Sequence, residues 1–199
     1  DQMPVDDPKR VYAEYIHDGL TRMAKMVRGL LDFARKSTPI YDPIDIPKTI
    51  DRIFSFFGEQ VSAQNIRVEK EFDENIPVVL NADVEQIFVN IIKNAIQAMP
   101  DGGTLSVSAK MLSPQLFEAR INDTGSGIPD DILDMIFDPF FTTKDFGQGV
   151  GLGLSISKGI AESYNGSIDV ESELGKGSTF IVRLPISEDW HSASLIRQT

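Results

Sequence analysis

Residues 117–129 read Phe117-Glu118-Ala119-Arg120-Ile121-Asn122-Asp123-Thr124-Gly125-Ser126-Gly127-Ile128-Pro129, an apolar-rich strand that runs into a carboxylate and then two glycines. Asp and Gly are ordinary turn residues. Here, however, the strand before Asp123 and the glycines after it put the carboxylate at the mouth of a pocket, with backbone close by. A buried carboxylate facing an exocyclic amino group makes a charge-assisted hydrogen bond worth about 1.5–3 kcal/mol and repels a keto oxygen in the same place. That chemistry selects adenine over guanine. Asp123 is therefore a candidate base-recognition residue, with Gly125, Gly127 and Ile128 beside it.

Working outward, three further signals flank this stretch in an order that supplies the remaining groups of a magnesium-bound nucleotide site. Upstream, Asn90 and Asn94 stand four residues apart within an apolar helical pattern and are followed by Ala95. Their amides therefore project from one helix face one turn apart. A single Asn there is most simply a satisfied core polar group; the pair, with a glycine-rich loop downstream, reads instead as a ligand set. The carbonyl oxygen of Asn94 suits Mg²⁺, which prefers hard oxygen donors and retains waters and phosphates as its other ligands. Downstream come Phe140-Phe141-Thr142-Thr143-Lys144 and then Gly147-x-Gly149-Val150-Gly151-Leu152-Gly153-Leu154. The glycines let a phosphate approach the main chain, and Leu152 and Leu154 open a helix whose first N–H groups can face a triphosphate. A Gly-x-Gly-x-Gly repeat alone is weak; following Thr142, Thr143 and Lys144, it points to phosphate binding. The ammonium of Lys144 can pair with a phosphate.

The 199 residues, 41% of them hydrophobic, suffice for one core plus an appendage. The net charge of −11 argues against a nucleic-acid surface. Without cysteine there is no disulfide, thiolate metal site or thiol nucleophile, a composition compatible with a reducing cytoplasm. No run reaches the roughly 18 apolar residues of a membrane span.

Along 8–36, Ile16, Leu20, Met23, Val27, Leu30 and Ala34 form a heptad seam widened by Leu31 and Phe33, the pattern of a self-associating helix, a helix docked on its own domain being the other reading. At ~1.5 Å per residue it would extend about 43 Å, longer than a compact domain needs. Pro39, Pro43 and Pro47 then break helical structure and leave only short extended pieces. Helices are expected at 48–63, 83–99 and 152–164, strands at 66–72, 104–111, 117–122, 167–172 and 178–184, and an aperiodic mobile loop at 137–150. This mixture without strict alternation predicts an α+β fold, helices on one face of a mixed sheet. The domain organisation is then 1–38 helix, 39–47 linker, 48–186 globular domain and 187–199 polar tail.

With these motifs in place, the chain resembles the catalytic ATP-binding domain of bacterial sensor histidine kinases, in the superfamily that also holds gyrase and the mismatch-repair ATPases. Asn90 and Asn94 match its N box, 123–127 its first glycine box, 140–144 its F box, 147–154 its second glycine box, and 175–179, ending in Thr179, its last glycine motif. The resemblance implies a two-layer Bergerat-type sandwich of a mixed sheet and three helices, with ATP and Mg²⁺ under a mobile lid. It implies Asn90 and Lys144 as catalytic residues, and Thr179 among the ATP-binding ones. It also implies transfer of the γ-phosphoryl group to a histidine and onward to the receiver domain of a response regulator, in a cytoplasmic homodimer joined through the N-terminal helix. Any membrane anchor would lie in upstream regions. In the ATPase branch the residue one turn before the magnesium Asn is a water-activating Glu; here it is Asn90, which favours a kinase.

His17-Asp18-x-x-Thr21 imitates the family's acceptor-histidine pattern, but Arg22 stands where that pattern has proline. The run 27–35 resembles the end of the second hairpin helix, so His17 is expected to be a surface residue of that second helix, the acceptor helix lying elsewhere. His191 is a poorer candidate. Two other readings stay open: a stand-alone ATPase or serine kinase of the same superfamily, and a nucleotide-binding module without catalysis.

Overall fold

A computed structural model describes residues 12–13, 15–17, 19–20, 43–74, 76, 79–80, 83–144 and 150–186. Most of the heptad seam, Gly147, Gly149 and the tail with His191 lie outside the described residues. Within the N-terminal segment, 12, 13, 15–17, 19 and 20 are helical, and Tyr12, Tyr15, Ile16 and Leu20 are 58–69% exposed.

The globular part opens with a two-residue strand β1 (Pro43–Ile44) that pairs antiparallel with β3 (Val79–Leu80). Helix α1 (Ile46–Phe56) follows immediately. Pro47 was expected to close the linker but instead sits in the first turn of α1, where its missing N–H has no intrahelical partner to lose. The Asp45 carboxylate caps this end, accepting from the Lys48 N–H at 3.1 Å. The helix expected at 48–63 is two pieces, because Phe57 leaves helical geometry before α2 (Gly58–Ala63) begins. Strand β2 (Ile66–Phe72) leads by way of β3 to α3 (Asp83–Gln97). Then come β4 (Gly103–Ser113), β5 (Leu116–Asp123), a 3₁₀ turn (Asp130–Ile132), α4 (Gly153–Ser163), β6 (Ser167–Glu173) and β7 (Gly177–Pro185).

The main sheet has five strands in the order β2-β4-β5-β7-β6; β2 and β4 are parallel and the other pairs antiparallel, a mixed sheet as expected. Its helix-facing side carries Leu105, Val107, Ala119, Ile121, Phe180 and Val182, none more than 3% exposed. Against it lies α3, whose Val84, Ile87, Phe88, Ile91, Ile92, Ala95 and Ile96 fall at the three- and four-residue spacing of an apolar stripe and are all buried. Burying each of the larger side chains contributes about 1.5–3 kcal/mol. Both α2 and α4 end on an asparagine of positive φ, Asn65 and Asn165 at 55°, which turns the chain into the strand that follows. The open side of the sheet is polar. There Glu118, 2% exposed, receives Arg120 at 2.9 Å and Arg183 at 2.8 Å, and Arg183 also reaches Asp169 at 2.6 Å. Burial pushes the Glu118 carboxyl upward, but the two guanidiniums outweigh this and hold it below the ordinary carboxylate value.

Candidate functional site

Strand alternation decides what the end of β5 presents. Phe117, Ala119 and Ile121 face the helices, so Asp123 does too, and it is only 2% exposed. The Gly125 N–H donates to its Oδ1 at 2.9 Å. Burial pushes its carboxyl above the ordinary 3.8, while backbone N–H groups of Gly125 and Ser178 draw it partly back. A buried carboxylate oriented by backbone is the group needed to accept from an adenine amino group.

The surrounding backbone is packed to contact. Ser126 donates its N–H to the Ala98 carbonyl at 3.1 Å and accepts from the Gly175 N–H at 2.7 Å, joining the first glycine box to the end of α3 and to the β6–β7 turn. The Ile128 N–H donates to Ser172 Oγ at 2.8 Å, and Ser172 Oγ lies 2.9 Å from Ser178 Oγ. Gly177 has φ +116°, and a Cβ there would overlap the Asp123 carbonyl. Only glycine fits.

Thr179 is not brought to Asp123. It pairs in register with Asn122 on the open side of the sheet, where its Oγ1 accepts from Asn122 Nδ2 at 2.7 Å. The residue opposite Asp123 is Ser178, 5% exposed. Reading the sequence for motif membership alone misses it. The signal was present, since Phe180 must face the core and Ser178, two residues earlier, shares its face.

On α3, Asn90 ties the N box to the second glycine box: its Nδ2 donates to the Gly153 carbonyl at 3.0 Å and to Ser157 Oγ at 3.1 Å. Its amide nitrogen is thereby committed, which leaves its carbonyl oxygen for a ligand. One turn further, the Asn94 Oδ1 accepts from Lys144 Nζ at 3.0 Å, and Lys144 Nζ also donates to Gln97 Oε1. Lys144, 50 residues away in sequence, is thus carried to the N box. Burial, and then the charge of Lys93, lower its pKa. Thr142 Oγ1 accepts from the Lys144 N–H at 3.2 Å, and Thr143 is exposed. Phe140 is 55% exposed at φ +69°, an uncommon conformation for a bulky residue. Its N–H donates to the Gly151 carbonyl at 2.9 Å.

Helix α4 begins at Gly153 behind buried Leu152, with half-buried Val150 and Gly151 ahead of it and Leu154 packed on the core. No side chain caps its first turn, so its leading N–H groups stand as donors beside Asn90. Among the described residues no group of three or more His, Cys, Asp or Glu is placed to hold a metal. A divalent ion here would draw on an amide oxygen and on phosphates, a donor set that suits Mg²⁺. Buried carboxylate at one end, amides, ammonium and helix N-terminus at the other: this is the donor set of a purine nucleotide.

A family model described as histidine kinase-, DNA gyrase B- and HSP90-like ATPase matches residues 80–188. Among similar proteins, sporulation kinase E of Bacillus subtilis (strain 168) is 31% identical over 93% of this chain and 25% of its own length. Sensor kinase CckA of Brucella abortus (strain 2308) is 36% identical over 85% of this chain and 20% of its own. The chain thus spans a quarter or less of either relative. Among solved structures, histidine kinase ThkA in complex with response regulator protein TrrA superposes with a TM-score of 0.73 at 25% identity, covering 93% of this chain and 54% of that one. Full-length ShkA in complex with AMPPNP superposes at 0.76 over 93% of this chain and 40% of that one; its 22% identity speaks to fold alone.

Proposed function

The chain belongs to the family of histidine kinase-, DNA gyrase B- and HSP90-like ATPases, and we propose that it is the ATP-binding catalytic part of a sensor histidine kinase. Asp123 accepts from the adenine amino group. Asn94 would contribute an oxygen to Mg²⁺, which would supply neutralisation of phosphate charge. Lys144 and the first turn of α4 meet the phosphate oxygens. The bond from the γ-phosphorus to its bridging oxygen breaks as one to a histidine nitrogen forms, and the phosphoryl group then passes to an aspartate of a response-regulator receiver domain. One relative of the chain is a sensor kinase, and the ThkA complex shows a histidine kinase with a response regulator.

The observation that carries transfer over hydrolysis is Asn90. An amide is no base, and its nitrogen is already bonded to Gly153 and Ser157. Nothing at that position activates water. His17 is helical and exposed; the acceptor in this reading is a histidine on a separate hairpin helix. We place the reaction in the cytoplasm, in a dimer formed through the N-terminal helix; no helix among the described residues is long and apolar enough to cross a membrane.

Labelled ATP tests this. The chain alone is expected to bind ATP without labelling itself, since transfer requires an in-line nucleophile held at the site. Adding a full acceptor hairpin should produce an acid-labile, alkali-stable phosphohistidine on the hairpin. Label on the chain that vanishes in His17→Ala overturns the acceptor assignment, and steady phosphate release with no labelled hairpin overturns the kinase reading.

A further inference from the structure

The ammonium of Lys144 stands where the proposed metal ligand would be used. Asn94 Oδ1 accepts from Lys144 Nζ at 3.0 Å, and Gln97 Oε1, one turn further along the same face of α3, accepts from the same nitrogen. Both acceptors are neutral amides, and among the described residues the cation bonded to both is the lysine. A divalent ion on the Asn94 oxygen and an ammonium within hydrogen-bonding distance of it would repel one another strongly in a half-buried site. The two occupants are therefore alternatives. Lys93, next to Asn94 in sequence, adds repulsion that favours release of Lys144 once an anion can receive it.

We propose that Lys144 is an internal counter-ion that competes with the metal for Asn94, and that Gln97 is a positioning residue setting the strength of this competition. In the nucleotide-free protein, Gln97 holds Lys144 on Asn94. When the magnesium nucleotide enters, the lysine leaves the Asn94 oxygen for the phosphates and the metal takes its place. The apparent affinity for the magnesium nucleotide is the intrinsic affinity multiplied by the fraction of molecules in which Asn94 is already released. This inference rests on Asn94 being the metal ligand.

Gln97→Met keeps the side-chain length and removes the acceptor. Equilibrium binding of ADP is titrated with and without Mg²⁺ for the unmutated chain, Gln97→Met, Lys144→Met and the double variant. Gln97→Met is expected to tighten magnesium-ADP binding about threefold to tenfold, the range for loss of one partly exposed charge-assisted hydrogen bond in the competing state. The gain should be smaller for magnesium-free ADP, where no metal competes for the Asn94 oxygen. In the Lys144→Met background the same substitution should have no effect, because Gln97 acts only through the lysine. Amide exchange at Thr143 and Lys144 in the nucleotide-free chain should be faster in Gln97→Met. Weaker magnesium-ADP binding in Gln97→Met, or an equal Gln97 effect with and without the lysine, overturns the proposal. Asn94→Ala separates the two levels. If it leaves magnesium dependence intact, the metal reading itself fails; if it abolishes the dependence while Gln97→Met changes nothing, only the competition fails.

Discussion

The two ends of the proposed nucleotide pocket are built from different materials. At the base end Asp123 is 2% exposed and is held by main-chain donors, with the Asp123 carbonyl packed against Gly177 and the Ser126 backbone bonded to Ala98 and Gly175. At the phosphate end the polar contacts that reach the pocket are made by side chains: Lys144 with Asn94 and Gln97, and Asn90 with the Gly153 carbonyl and Ser157. Backbone held on several sides cannot shift without breaking strands, whereas a lysine can change partners by rotating a few bonds. On the proposed assignment, the base end is thus fixed by backbone, and the phosphate end is held by side chains able to change partners.

The sharpest challenge to that contrast is a pair of substitutions. Gly177→Ala forces a Cβ onto the Asp123 carbonyl at φ +116° and should cost about 3 kcal/mol or more, enough to lower Tm by many degrees and to abolish nucleotide binding. Lys144→Met should leave stability within about 0.5 kcal/mol while weakening nucleotide binding. Comparable losses of Tm in the two variants would break the comparison.

Next in size, Glu118→Gln supplies a reference away from both ends. It leaves Arg120 and Arg183 without their buried carboxylate and should destabilise by about 2 kcal/mol, with ATP affinity unchanged. An affinity change would mean that the open side of the sheet communicates with the pocket.

How far the sequence reveals such a contrast depends on whether the signal is local. The apolar stripe of α3 and the strand ending at Asp123 are periodic, so sheet, helix layer and the buried placing of Asp123 were legible. Strands β1 and β3, two residues each, are too short for any period and exist by pairing Pro43 with Leu80 and Ile44 with Val79. The choice of Ser178 over Thr179 followed from alternation, not from motif membership. The hold of Gln97 on Lys144 spans 47 residues and ends in an aperiodic segment, so nothing local announces it. The base end is written in backbone-demanding residues such as Gly177, and the phosphate end in long-range polar contacts, which is why the first was easier to read.

A smaller effect concerns the base alone. Asp123→Asn should weaken ATP binding about tenfold and narrow the gap between ATP and GTP, because an amide donates as well as accepts. Titration with both nucleotides checks it, and equal affinities in the unmutated chain would end the adenine assignment. The same carboxylate gives a pH signature. Its pKa is raised above 3.8, so within that window the folded form keeps a proton the unfolded form has lost, and stability falls as pH rises through it. The Tm of the unmutated chain relative to Asp123→Asn should therefore decline as pH rises from below that value and then level off towards neutrality. A difference that grows with pH would contradict the burial argument.

Hydrogen exchange resolved by residue, with and without saturating magnesium-ATP, tests the two-ended pocket most directly. Amides of 123–128 should be protected already in the free chain and gain little, while those of 137–144 should exchange quickly when free and slow markedly when nucleotide is bound. Equal slowing at both ends, or no change at either, would contradict a nucleotide pocket with a preformed base end and an exchanging phosphate end.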